Sequence, residues 1–596
     1  MALSLFFAVT LSARAAAPDA PTPQGPTAAA RTSASAGVHN PQLAELLERQ
    51  WAEYLRAYPT NATQQGVHTY DDRLDDISIR AELAWRVNRL NWRRDAARLR
   101  GLDASDALTK ALFVEEQKSG TETDVCKMSE WNISARGNAF GFASSLPEVH
   151  PVVAVADGNN LLARYRALPD YFGQSEANLR RGGRDGLYAN AESVRLVIAM
   201  VDAELARPIS EWGVMVPAKE AHDNWSAADL AAFRAELGTL TDGELRKAFQ
   251  HYRDFLAKEI LPFARDDAHA GLGGLPNGSA CYKALIHAHT TLDKSPEELH
   301  ATGLSELDRI HGEMKRLGTK LFGTDDLAKI FARLRTDPEL HFSTAEQVEA
   351  KATSALAKAR ASIPRFFGRL PKADCIVSPI PEHEAPYTTI AYYWPAVPGG
   401  EKPGAYFVNT YAPETRPRFE AEVLAFHESI PGHHLQIAIA QELDEVPEFR
   451  KDLGATAFVE GWALYTERLA DEMGLYEGDL DRMGMYGFDA WRASRLVVDT
   501  GLHAMGWSRE KAVQFMLANT ALAENNIRNE VDRYLTDPGQ ALAYKTGQLE
   551  IWRLRHEAET KMGSKFDLPG FHDVVLGAGP VSLPILAARV HAWENQ

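Results

Sequence analysis

Three histidines and a glutamate fall within eight positions of this 596-residue chain, in the stretch Ala425-Phe-His-Glu-Ser-Ile-Pro-Gly-His-His-Leu-Gln436. Imidazole nitrogens and carboxylate oxygens are the donors of catalytic zinc sites. In the HExxH arrangement two histidines four residues apart share one helix face, and the glutamate between them acts as base. Here the fourth position after His427 is Pro431, and the next candidates, His433 and His434, come six and seven residues on. An unbroken helix would separate them from His427 by roughly 9 to 10.5 Å along its axis, too far for imidazoles that must each reach zinc at about 2.0–2.1 Å. The helix must therefore be interrupted. Pro431 lacks an N–H and would collide with the carbonyl of His427, and Gly432 allows backbone angles that other residues avoid. We expect Ser429-Ile-Pro-Gly432 to be an insertion that folds His433 back into ligand position, with His434 as the alternative ligand.

A third ligand is expected from Phe458-Val-Glu-Gly-Trp-Ala-Leu-Tyr-Thr-Glu467, a helix-like run in which Glu460 would complete a set of two histidines and one carboxylate around a single Zn2+. Glu428, directly after His427, is placed as general base. Three further residues have chemistry of the right kind. His503 lies four residues after Asp499, so each could orient the other, and His503 could donate to an oxyanion. Tyr544 could supply a phenolic donor to the same oxyanion. Arg533 could pair with a substrate carboxylate.

The elements that must position these groups read as mainly helical. Amphipathic runs recur at Leu43–Tyr58, Ile77–Leu99, Thr109–Lys118, 159–205 with an interruption near Gly182-Gly183, Ala227–Leu237 and Asp242–Ala264. Ser295-Pro-Glu-Glu298 combines a hydroxyl cap, a proline and a glutamate three residues on, a capping box opening a helix through Met314; Ser343-Thr-Ala-Glu346 is expected to open another in the same way. Strand signals gather in Tyr387–Trp394 and Ala405–Thr410, with a turn at Pro398–Gly404, predicting a β-hairpin or small sheet beside the metal-binding helix. A strand edge there could take an extended peptide by strand addition. Pro417–Phe426 would form the helix that carries His427.

The totals bound the rest. Lys and Arg number 64 against 81 Asp and Glu, a net charge of −17, and no long basic run is present to neutralise phosphates, which argues against a nucleic-acid partner. The apolar run Leu3–Leu11 followed by Ala13-Arg-Ala-Ala-Ala17 resembles a secretory signal cleaved near Ala17, so export to the periplasm or medium is expected. Residues 18–40 would be a linker rich in Ala, Pro, Thr and Ser, and 41–596 a helical domain with its catalytic part at about 380–560. No hydrophobic run is long enough for a membrane helix. The three cysteines, Cys126, Cys281 and Cys375, make neither a disulfide framework nor a zinc-thiolate set, though one disulfide could form.

Several segments together are similar to the bacterial domain-of-unknown-function family 885: Leu275-Pro-Asn-Gly278 with Tyr282, Thr290–Glu298, Gly303-Leu304, Glu313-Met314, His427–Gln436, Glu460-Gly-Trp-Ala463, Asp499-Thr-Gly-Leu-His503, and Pro538-Gly-Gln-Ala541 with Tyr544-Lys-Thr-Gly547. The resemblance spans about residues 41 to 590 and implies a mostly helical, often exported protein suspected of zinc peptidase activity. Glu460-Gly-Trp-Ala also resembles the Glu-Gly-Phe-Ala of the aminopeptidase N family, which implies Glu460 rather than Glu467 as ligand. Gly432-His433 is similar to the Gly-His that closes HExxH in the thimet oligopeptidase family, which implies His433 as second ligand. The expected activity is that of an exported zinc metallopeptidase acting on short peptides. The rival readings are a non-catalytic helical protein that binds peptide or metal, and a zinc hydrolase of non-peptide amides or esters.

Overall fold

The computed structural model describes residues 34–381, 385, 390–396, 402–451 and 453–595. The signal sequence and residues 18–33 of the linker lie outside the described residues, as do 387–389 of the first expected strand and 398–401 of its turn. The chain is mainly α-helical with one small sheet, and it divides into two compact units. One comprises the residues up to Ala270 with Gly274–Gly278; the other comprises Gly271–Gly273 with Ser279 onward.

In the first unit the expected helices form with displaced ends, because polar caps set them. Asn40 caps Pro41–Ala57, Ser78 caps Ile79–Arg98 and Asp103 caps Ala104–Glu122, each through its side-chain oxygen. The helix Val155–Arg184 runs through Gly182-Gly183 and breaks only after Arg184. Its core gathers Leu161, Leu162, Tyr165, Leu168 and Phe172 against Trp212, Phe249 and Tyr252.

The second unit holds the expected site residues. Helix α1 (Pro296–Phe322) opens with the expected capping box, in which Ser295 N–H donates to Glu298 Oε2 at 2.8 Å and Glu298 N–H donates to Ser295 Oγ at 3.1 Å. It continues past Met314 to Gly323, which takes the left-handed conformation at φ 70°. Helix α2 (Ala345–Ser362) starts one residue later than Ser343 would place it, since Thr344 is the cap and accepts from Gln347 N–H at 3.3 Å. Three strands follow: β1 (Cys375–Pro379), β2 (Ala391–Trp394) and β3 (Gly404–Val408). Strand β3 is central, antiparallel to β2 as a hairpin requires, with Tyr393 opposite Tyr406, and parallel to β1, which the sequence reading missed. The strand β1 alternates too little to announce itself, its pattern running from buried Cys375 to exposed Pro379.

Helix α3 (Ala421–Glu428) packs on α2 and β2 and is buried along almost its whole length. Beyond it come α4 (His433–Gln441), α5 (Thr456–Glu472), α6 (Asp479–Ala504), α7 (Glu524–Thr536) and α8 (Leu542–Met562). Among the described residues no helix is long and apolar enough to cross a membrane.

Candidate metal centre

The helix carrying His427 stops where the proline demands. Ser429 N–H donates to Ala425 O at 2.9 Å as the last helical bond, and Ser429 itself leaves the helix at φ −109°, ψ −110°. The chain turns through Ile430-Pro431-Gly432, and α4 begins at His433 with His434 N–H donating to Ser429 O at 3.0 Å. Gly432 is required by space: a Cβ there would lie 1.9 Å from the carbonyl oxygen of His427. Trp462 on α5 closes the turn from the other side, its Nε1–H donating to Pro431 O at 3.0 Å.

The insertion brings His433 beside His427, their rings edge to face with centroids 4.8 Å apart. Glu460 on α5 lies between them: its Oε2 is 3.7 Å from His427 Nε2 and 3.5 Å from His433 Nε2. One donor atom from each of the three residues lies within 4.8 Å of the others. Two donors that share a tetrahedral zinc at about 2.05 Å stand about 3.3 Å from each other, so these separations are close to what a cation needs and too long for hydrogen bonds. Glu460 Oε2 and His433 Nδ1 are buried with no hydrogen-bond partner among the described residues, and a buried carboxylate oxygen without a partner is costly. Residues of this kind, at this spacing, fit a divalent cation.

The electrostatics point the same way. Burial alone would lower the pKa of His427, but the carboxylates of Glu460 and Glu467 beside it raise it to about 9. Burial alone would raise Glu460, yet His427 and His433 hold it well below the usual carboxylate range.

Glu467 was not singled out by the sequence as part of the site. Its Oε1 accepts from His427 Nδ1–H at 2.8 Å, which turns Nε2 of that ring toward Glu460. The signal was available, since Glu467 follows Glu460 by seven residues, two turns along one helix face. His434 points elsewhere. Its Nε2–H donates to Ala373 O at 3.1 Å and its Nδ1 accepts from Tyr393 Oη at 2.9 Å, and burial lowers its pKa to about 4, so it is a neutral ring tied to the sheet. Glu428 ends α3 next to His427 and is half-buried; burial chiefly, and then the charge of Glu428, raises the pKa of Tyr406 on β3. The Tyr406 hydroxyl, another group the sequence did not mark, is buried without a hydrogen-bond partner among the described residues.

Tyr544 is brought in by the crossing of α5 and α8. A Cβ on Gly461 would lie 2.5 Å from Cα of Gly547, and one on Gly547 would lie 1.8 Å from Ala457 O, so only two glycines let these helices touch backbone to backbone. Glu460 precedes one glycine and Tyr544 lies three residues before the other. Burial chiefly, then the charge of Glu460, raises the Tyr544 phenol.

The other expected residues are committed. His503 Nδ1 accepts from Leu272 N–H at 3.1 Å and its Nε2–H donates to Tyr534 O at 3.0 Å, so both ring nitrogens serve the backbone. Asp499, expected to orient it, accepts from Tyr282 Oη–H at 2.6 Å and from Gly539 N–H at 3.1 Å. Arg533 donates to both oxygens of Glu530 and to Gln540 Oε1. The second cluster of metal-donor types, His39 with Asp103 and Asp106, is more exposed, and its carboxylates already accept backbone N–H groups at helix caps.

The fold and the sequence place the chain in a family. Residues 59–590 match the family model described as bacterial protein of unknown function (DUF885), and the chain belongs to that family. No curated protein matches it. Among solved structures it is similar to a "putative lipoprotein" from Colwellia psychrerythraea, at 24% identity and a TM-score of 0.86, over 93% of this chain and 99% of that one. It is also similar to a lipoprotein of unknown function, likewise so qualified, from Shewanella oneidensis, at 19% identity and a TM-score of 0.73, over 92% of this chain and 99% of that one. At these identities the likeness is one of fold.

Proposed function

We propose that the protein is an exported zinc metallopeptidase of short peptides. The observation that carries the reading is Glu460 Oε2, buried and without a hydrogen-bond partner among the described residues, between the Nε2 atoms of His427 and His433. His427, His433 and Glu460 would hold the metal. Bound there, a zinc ion would act as a Lewis acid and lower the pKa of water.

The chain's own residues supply the rest. Glu428 takes the proton of the attacking water and returns it to the leaving amine. Glu467 holds the Nδ1 proton of His427 and so fixes which nitrogen faces Glu460. Among the described residues the Tyr544 hydroxyl accepts only a long bond from Gln540 Nε2, 3.4 Å, so its proton is available to the oxyanion; His503, with both nitrogens engaged, is the weaker candidate for that role. Export is supported by the apolar start of the sequence and by the names of the similar structures.

Metal analysis of purified wild type and Glu460→Ala, with hydrolysis of a mixed peptide library by wild type and Glu428→Gln, tests the reading. One zinc in wild type, none in Glu460→Ala, and a metal-loaded but inert Glu428→Gln are expected. A wild type that takes up no zinc and leaves the library intact would overturn it.

A further inference from the structure

Two ion networks adjoin Tyr544, one of them partly exposed at Arg309, and their charges differ. In one, Lys545 Nζ lies 2.5 Å from Asp489 Oδ1 and 2.9 Å from Glu306 Oε2, and Arg309 Nη2 lies 2.9 Å from Asp489 and 2.8 Å from Glu306. Two cations there meet two carboxylates. In the other, Arg495 Nη2 and Arg533 Nη2 each lie 2.9 Å from the same oxygen of Glu530. Two cations share one carboxylate, and burying an unmatched charge is costly unless something pairs with it.

The donors show where the excess sits. All three nitrogens of Arg533 are used, on Glu530 and Gln540. Arg495 gives Nε–H to Tyr534 Oη at 2.9 Å and Nη2–H to Glu530 at 2.9 Å, while its Nη1 is buried with no partner among the described residues; the side chain is only 4% exposed. Its guanidinium carbon lies 4.3 Å from the centre of the Tyr544 ring. That ring sits one helix turn from the Gly461–Gly547 crossing, near enough to Glu460 for the carboxylate's charge to act on its phenol. Arg492 also has unpartnered nitrogens, but its Nη2 is 3.5 Å from Glu467, which already answers its charge.

We propose that Arg495 Nη1 binds a carboxylate of the substrate, either the free C-terminus of a peptide or an acidic side chain beside the scissile bond, with Arg533 holding Glu530 so that Arg495 stays aimed. This rests on the peptidase reading and names its substrate class. Recognition of a terminal carboxylate next to the metal-donor cluster would make the enzyme trim peptides from their C-terminal end.

The test is calorimetric titration of full-length, zinc-supplemented Glu428→Gln protein with three peptides of one sequence: the free acid, its C-terminal amide, and the amide with a glutamate at the last position. The free acid is expected to bind about 10- to 100-fold tighter than the amide, the range a charge-assisted hydrogen bond supplies. Adding Arg495→Gln should erase the difference. Arg495→Met serves equally if Gln perturbs the fold, since it packs among the same aromatic rings while Arg533 still neutralises Glu530. Tight binding of the glutamate amide would identify the side chain as the source. Equal binding of acid and both amides, a preference that survives loss of Arg495, or no binding of any of the three would overturn the inference. Cleavage by wild type is scored separately: acid preference without turnover leaves the subsite standing and removes the peptidase reading, and turnover without preference does the reverse.

Discussion

Replacing Glu467 by Gln isolates the step between fold and metal. Among the described residues the carboxylate accepts one hydrogen bond, from His427 Nδ1–H at 2.8 Å, with Arg492 Nη2 farther off at 3.5 Å, and its exposure is only 1%. Gln can accept the same hydrogen bond but without the charge. A hydrogen bond to a charged partner contributes about 1.5–3 kcal/mol against roughly 1 for a neutral pair. The loss is therefore on the order of 1–2 kcal/mol of ring orientation and basicity, about 5- to 30-fold in affinity, which overlaps the lower part of the 10- to 100-fold that such supporting partners contribute to metal binding. Zinc affinity measured by competition with a chelator should fall by about that factor in Glu467→Gln and by far more in Glu460→Gln, with circular dichroism unchanged in both. Glu472→Gln, on the same helix but paired with Arg555 at the surface, is the control and should bind as wild type. If Glu467→Gln binds zinc within twofold of wild type, the argument that this carboxylate tunes His427 is wrong.

The two adjacent histidines should separate cleanly: His433→Ala loses the metal, whereas His434→Ala keeps it and loses stability through the Tyr393 and Ala373 bonds, as metal content and thermal unfolding would show. Gly547→Ala should destabilise the protein by about 1–3 kcal/mol, the usual cost of overpacking, and reduce zinc uptake as well, because its Cβ would meet Ala457 O next to Glu460. Tyr544→Phe should lower kcat by about 10- to 1000-fold with little change in KM, as loss of an oxyanion donor does. Stability should also fall in acid: burial lowers the pKa of His572 from 6.5 to about 3, so its contribution is complete above pH 6.5 and is lost as the unfolded chain takes up the proton below it. The gap between wild type and His572→Phe in urea unfolding should therefore narrow from pH 7 toward pH 4, and parallel curves would refute the assignment.

The site was legible wherever chemistry is local. Pro431 and Gly432 announce an interrupted helix because their backbone limits are their own, and the density of donors around them is visible in one dimension. The capping box at Ser295 was legible for the same reason, while at Thr344 two neighbouring hydroxyls compete for the cap and the sequence alone favours neither. Strand β1 escaped notice because it is short and half-exposed, and its partner β3 lies across a connection of more than twenty residues. Arg495 and Tyr406 escaped because nothing in their neighbours differs from an ordinary buried helix or strand. What distinguishes them is an unsatisfied atom, and satisfaction is a property of packing. His503 misled in the opposite direction: spacing from Asp499 suggested a pair, but the backbone of Leu272 and Tyr534 holds the ring.

One crossing of helices links the proposed metal donors to the proposed substrate groups. Gly461 and Gly547 let α5 and α8 meet at backbone distance, which sets Glu460, the proposed metal donor, close enough for its charge to act on the Tyr544 phenol, whose ring carries the Arg495 guanidinium at 4.3 Å. The balanced network of Lys545 with Asp489, Glu306 and Arg309 ties α8 to α1 and α6, so Tyr544 and Lys545, adjacent in sequence, have different roles. A shift of α8 would move the phenol and the arginine together relative to Glu460. Coupling of that kind predicts that substitutions at the glycines alter metal uptake and substrate preference in parallel, whereas Arg495→Gln alters preference alone.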